Sequence, residues 1–560
     1  MLLLPLPPAY VRAKPSSGHT AMSSSDLDPG SDPGPAAGPV WDLSARLGWL
    51  LASWRTHSAY ADPAAFVAAL AESGVPADVE LLARWESGAE PPPYAAVRAA
   101  EQVLGLTPGH LSDLAGYLHT FLPGTPPLWG RPGVDAGAAG FAEQVRATAA
   151  QVLAAEPSGA DADRVPAGSG LRAWVELGHQ LAAARHAEHV GTAGTPDALL
   201  PDETWSALAA RAIAVLPRGV HTGHRAIMQA VHVLCGVPAA GAHVVAHLRD
   251  YLADPAAQVL SLPICTLERI PTAAAADLTL DLLEEGFAER NLRAAVWVAA
   301  QKLRRGEFDA AQRTRLDLLL LTKWRSNNQA TPQDFAELIA VQPDELRQTF
   351  AKAATQVGRP EVAQALQSGE LMPAPQARAV AEAFSRGVLV RAGQPIDTLN
   401  PTLVATLREA VFHLASDHRH LASVTLACSP YADAVATCAL DLLDRDDVPE
   451  LLRAHAAQLV GYTADDAHRN RLHTRLADCD DEIAFRAVLA LGHLRFHQVS
   501  DLELRRRLSG LATEQAQTCL YGLGMTGSPA LKSLAAGKNG TPPWQQAAAA
   551  WWLRIGSAVR

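Results

Sequence analysis

From residue 41 onward, apolar residues recur three or four apart, in segments closed by Gly, Pro or a capping Asp or Thr. Leu43, Leu47, Leu50, Leu51 and Trp54 share one face of a first amphipathic helix, with Arg46 and Arg55 beside the stripe. Asp62-Pro63 supplies an N-cap and a proline at the first helical position. Phe66, Val67 and Leu70 then form the apolar face of a second helix that stops at Gly74. After Gly74-Val75-Pro76, a third helix through Val79, Leu82 and Trp85 ends at Gly88. A fourth, carrying Val97 and Leu104, stops at Gly105, and Thr107-Pro108 caps a fifth with Leu111, Leu114 and Leu118. The pattern therefore predicts five short helices with tight turns over residues 41–122.

The helical period persists for the rest of the chain, with one interruption. Residues 123–170 are crowded with Gly, Pro, Ala and Asp around one helical stretch, Phe141 to Leu153, and are expected to form a flexible linker that lets the head move independently. From 171 to the end no run of alternating β-branched residues occurs, so the fold class is all-α, with a helical repeat-like region over 171–400 and clearer repeats over 401–560. The four segments LRAHAAQLVGY, AFRAVLALGHL, AQTCLYGLGMT and WQQAAAAWWLRIG carry Gly461, Gly492, Gly524 and Gly556, spaced 31, 32 and 32 residues apart. A fainter echo runs through AVHVLCG, SLPICTLERI and RAAVWVAAQKL upstream, while Pro332, Pro343, Pro360, Pro373 and Pro375 break the phase between them.

Composition agrees with this pattern and narrows the setting. The 560 residues exceed one compact core, and Ala, Leu and Arg are among the best helix formers. A formal net charge of −11 gives no general attraction for nucleic acid or anionic lipid, so any basic surface must be local. Cys235, Cys265, Cys428, Cys438, Cys479 and Cys519 show no C-x-x-C spacing and read as buried small residues in a reducing compartment. The opening MLLLPLPPAYVRA lacks a basic n-region and is broken by prolines, and no other stretch is long and apolar enough to span a membrane. The expected location is the cytoplasm. Met22 precedes a Ser/Asp/Gly/Pro-rich tract, which predicts a start there and a disordered arm over residues 1–40.

Two resemblances sharpen the picture. Leu81 to Gly88, LLARWESG, in its five-helix setting, resembles the end of the recognition helix in Cro/cI-type (XRE-family) helix-turn-helix domains, where SRWE-x-G is a frequent ending. The resemblance implies that Arg84 approaches a phosphate, Trp85 packs in the head core, Glu86 fixes the end of the third helix and Gly88 takes the turn. Base contacts would come from the start of that helix: Asp78, Val79, Glu80 and Leu81. Here the chain departs from the family, because Asp78 and Glu80 repel phosphate and can only accept, for instance from cytosine N4. The spacing from Gly74 to Arg84 is also about two residues longer than the family's usual turn. From Trp41 to Leu118 four arginines face nine carboxylates, a balance unlike that of a phosphate-neutralising domain. The second resemblance is to HEAT-type repeats, closest in DDEIAFRAVLALGHL, with Asp481 as a cap and Arg486 at the position of the family's inner-helix arginine.

Other motifs carry less. GLGMTG (522–527) matches G-x-G-x-x-G by letter but follows no strand and falls on the repeat phase. His243 and His247 stand four apart as metal ligands on a helix would, without a third ligand, and His186/His189 and His221/His224 are weaker still. Arg304-Arg305, Lys323 with Arg325, HRNRLHTR (468–475) and Arg505-Arg506-Arg507 read as solvated outer-helix faces. No nucleophile elbow, phosphate loop or kinase set is present, so no enzyme, cofactor or metal is expected. Two functions stay open. One is a bacterial DNA-binding transcriptional regulator, a homodimer on DNA through its head, with a protein partner on the solenoid. The other is a protein-binding scaffold or adaptor whose head has lost DNA binding.

Overall fold

The computed structural model describes residues 42–119, 136–154 apart from 138, 169–189, 195–284 apart from 220, 289–325, 338–478 with short breaks, 508, and 513–558. Among these residues every regular element is helical, and an isolated β-bridge joins Glu370 to His413. No single described helix is long and apolar enough to cross a membrane. The expected arm (1–40), Cys479, Asp481, Arg486 and Arg505 to Arg507 lie outside the described residues, as do the side chains of His186, His189, His221, His224, Lys323 and Arg325.

The head forms α1 (Leu43–Thr56), α2 (Pro63–Glu72), α3 (Val79–Ser87), α4 (Tyr94–Val103) and α5 (Ser112–His119). Local chemistry sets the boundaries. Asp42, Asp62 and Asp78 each accept backbone N–H bonds at a helix start, with Pro63 in the first turn of α2. Gly74, Gly88 and Gly105 take left-handed φ values of 85°, 78° and 67° where α2, α3 and α4 stop. Helix α5 begins later than Thr107-Pro108 predicts. The buried Glu101 carboxylate of α4 accepts from the amides of Gly109 (3.2 Å), Leu111 (2.7 Å) and Ser112 (2.7 Å), so the cap comes from a neighbouring helix and not from the local threonine.

The body stacks α6 (Phe141–Ala154) on α7 (Ser169–His189), α7 on α9 (His221–Cys235), and α8 (Asp202–Val215) on α10 (Pro238–Ala253). The same neighbour and next-neighbour pairing continues through Pro401–Phe412, Ser416–Ala427, Ala432–Leu443 and Glu450–Thr463. This is a solenoid-compatible arrangement in which each helix pair completes its core on the next. Each described repeat glycine lies near a helix end: Gly461 and Gly524 two residues before the last residue of their helices and Gly556 just past its own, while Gly492 lies outside the described residues. A Cβ on Gly524 would sit 1.9 Å from the Trp552 ring, so this glycine lets an indole lie on the helix backbone. The last helix also folds back on the start of the body. Arg218 donates to the Ser557 carbonyl (2.8 Å), Arg554 pairs with Asp254 (3.0 Å), and Trp551 meets the edge of Tyr251.

The head is not independent of the body. Leu47, Leu50, Leu111, Leu114 and Tyr117 belong to the same continuous buried core as Trp205, Leu234 and Phe412. Only Leu51, Phe66, Leu70, Leu82, Trp85, Ala96, Ala99 and Ala100 form a separate head core. The apolar stripe of α1 is broad enough to serve both cores. Its Leu43/Leu47/Leu50 side faces the body and Leu51 faces α2–α4.

Candidate interaction face and head–body seam

Helix α3 turns Leu82 and Trp85 inward, 1% and 2% exposed, and leaves Val79, Glu80, Ala83, Arg84 and Ser87 outward. Trp85 packs in the head core and Gly88 takes the left-handed turn that ends α3. Gly88 also admits the backbone of α1, because a Cβ there would fall 2.5 Å from Ala45 Cα. Gly48 does the reverse, as its Cβ would fall 2.2 Å from the Trp85 carbonyl oxygen. Glycine on both sides lets α1 and α3 cross backbone to backbone. Gly48→Ala forces that crossing apart and is expected to cost about 1–3 kcal/mol, the range of an overpacked core, measured as a lowered urea midpoint with the slope unchanged. Glu86 links α3 to α1. Its two oxygens take Arg55 Nε (2.6 Å) and Nη2 (2.9 Å), and this bidentate bond raises the Arg55 pKa while tying α3 to α1.

The residues that would contact DNA are placed together on one exposed end of the head but are already committed. The Asp78 carboxylate caps α3 through Leu81 N–H (2.7 Å). Leu81 is half-buried against the head core. Glu80 projects into solvent, and Arg84 lies between it (3.4 Å) and Glu90 (3.1 Å). The remaining arginines of the head are equally engaged: Arg46 with Glu409 (2.6 Å), Arg55 with Glu86, and Arg98 with Glu101 (2.7 Å). The head contains no lysine between Trp41 and Leu118, so its lysine and arginine cations are these four arginines, each paired with a carboxylate.

The opposite side of the head is a seam with the body, built from polar groups far apart in sequence. Trp54 Nε1 donates to the Cys428 carbonyl (2.8 Å), and His110 Nε2 meets the same oxygen (3.0 Å). Tyr431 stacks on Trp49 and meets the edge of His57. Deeper in, the Tyr117 hydroxyl bonds His420 Nε2 (2.5 Å), His420 Nδ1 bonds the Tyr462 hydroxyl (2.9 Å), and His232 stacks on Tyr117. Beside this relay Glu268, fully buried, pairs with Arg269 (3.1 Å) and Arg305. Local pattern carried no sign of these partners. A polar residue on an apolar stripe, such as His232 in AVHVLCG, was the only available hint.

The remaining candidates resolve into structural contacts. His243 bonds Asp202 (2.8 Å) and His247 bonds Ser206 (3.1 Å), so the pair joins α10 to α8. Asp433, Asp465 and His468 lie close enough to hold a metal ion. However, His468 Nδ1 is already on Asp465 (2.9 Å), within the capping box of the turn at Asp466–His468, and Nε2 is on Thr437 (3.1 Å). Of the HRNRLHTR cluster, Arg469 pairs with Asp466 and Arg471 with Asp441 and Asp444, so neither offers an uncompensated charge. The described cysteines are buried thiols, with Cys235 pushed up to about 12 and Cys438 to about 11 by burial, far from a reactive thiolate. Compared with protein-family models and with curated proteins, the sequence shows no match.

Proposed function

We propose that this chain is a protein-binding scaffold, in which an XRE-like head is retained for protein contact on a HEAT-like helical body. The observation that carries this reading is the pairing of all four head arginines with carboxylates, on an α3 face where the outward Arg84 lies between Glu80 and Glu90 with Asp78 at the helix start. A DNA-binding head must release counterions from several phosphates, and each such contact steepens the salt dependence of binding by roughly 0.9 in log–log slope. Here every cation would first have to leave an acidic partner. The partner expected at α3 is a protein surface, and the body presents further helical faces to it.

The regulator reading keeps one observation in its favour: Val79 is 47% exposed and Glu80 more so, leaving the start of α3 open to a groove. Titrating the full chain against a mixed duplex at several salt concentrations separates the two. A scaffold gives weak binding with a slope near zero, whereas tight binding with a slope of several units would overturn the proposal.

A further inference from the structure

A buried cation is costly unless a carboxylate answers it. Arg46 has Glu409, Arg55 has Glu86 and Lys302 has Glu307. Arg218, 9% exposed, pairs with no carboxylate among the described residues. It closes the turn Leu216–Arg218 that follows α8, and its one hydrogen bond among those residues runs from Nε to the Ser557 carbonyl (2.8 Å), just past the last helix. Asp254, which α10 brings to the same end of that helix, is already taken. One of its oxygens accepts from Ala256 N–H (2.9 Å) and the other from Arg554 (3.0 Å).

The surroundings are shaped to the guanidinium. A Cβ on Gly556 would lie 3.2 Å from Arg218 Cζ and 3.3 Å from Nη2, so the glycine lets the flat group rest on the backbone. With Nε on Ser557, the edge formed by Nη1 and Nη2 is left for two oxygens of one ligand. Arg211 on α8 brings a second positive charge close enough to act on Arg218. Burial first, then Arg211, lower Arg218 to about 10, which leaves it charged at neutral pH. Two like charges favour a dianion over a monoanion. A side chain so enclosed is reached by a small ion and not by a flat partner surface.

We propose that Arg218, held by Ser557 over Gly556, anchors an oxyanion site between α8 and the last helix that takes inorganic phosphate through its Nη1–Nη2 edge. By answering the Arg218 charge, the ligand also strengthens the closure of the last helix on the start of the body.

Calorimetric titration of the full chain with sodium phosphate in chloride buffer, at constant ionic strength and near neutral pH, tests this. One saturable site is expected, weakened roughly tenfold or more in Arg218→Gln because a charge-assisted pair is lost. Sodium acetate in the same titration should bind more weakly, and acetate that binds as tightly as phosphate would overturn the assignment. Arg218→Gln strands no carboxylate, so it should fold as the parent does. Should it not, hydrogen exchange of the parent carries the test: phosphate should slow the amides of Asp202–Val215 and Pro543–Ile555 and leave those of Ala432–Leu443 unchanged. The site would be overturned by phosphate that never saturates, by equal binding to Arg218→Gln, or by protection spread evenly over the chain.

Discussion

Glu268→Ala destabilises the fold by about 3–5 kcal/mol, the cost of removing one partner from a buried ionic group. Glu268 is fully buried, and one of its oxygens receives both Arg269 (3.1 Å) and Arg305. Arg305 also donates to the Glu268 backbone carbonyl (2.7 Å), so the carboxylate and the turn that carries it are held together. Burial already lowers Arg269 to about 10 against the pull of Glu268. Deleting the carboxylate leaves two guanidinium groups near each other beside Tyr117 and His232, with the less buried Glu307 at 3.9 Å from Arg305. Glu268→Gln keeps the shape and one acceptor, and should cost less than the alanine variant. The check is equilibrium urea unfolding of both variants by far-ultraviolet circular dichroism. Equal stability of Glu268→Ala and the parent would show that the arginines find other partners at no cost.

Glu101→Ala is the second large effect, with an expected loss of about 3 kcal/mol, since hydrogen bonds to a charged group contribute about 1.5–3 kcal/mol each and several are lost together. The carboxylate is 2% exposed and caps α5 through Gly109, Leu111 and Ser112, while Arg98 closes the pair. Without it the first turn of α5 holds buried N–H groups with no acceptor, next to the Leu111 and Leu114 contacts with the body. The loss should therefore appear first in the seam. Hydrogen exchange in α5 should accelerate well before that in Pro401–Phe412, and uniform acceleration through both helices would contradict the capping role.

The parts of this fold that are legible in the sequence are those fixed by neighbours within a turn or two. Asp62-Pro63 and the glycines at 74, 88 and 105 mark helix ends by local backbone chemistry, and each stands where that chemistry predicts. Trp85 on the apolar side of α3 is legible for the same reason. Asp78 was readable only as a charge near the start of a helix. Its cap on Leu81 N–H uses the same carboxylate that DNA readout would need, and sequence alone does not choose between them. The docking of the head was illegible because its bonds join residues hundreds of positions apart, such as Trp54 with Cys428 and Tyr117 with His420. A Gly/Pro-rich connection signals freedom, yet α6 inside it packs on α7 and α8. Gly524 shows the same limit: its spacing is visible in sequence, but the Trp552 ring that requires a glycine is not.

If the exposed α3 face serves protein contact and not DNA, selection of the full chain on a random duplex pool at low salt, run beside Arg84→Ala and a Glu80→Gln/Glu90→Gln variant that frees Arg84 from its carboxylates, should enrich no sequence for the parent or for Arg84→Ala, and should give at most weak, sequence-indifferent retention when Arg84 is freed. Enrichment of a defined sequence by the parent, abolished by Arg84→Ala, would contradict it.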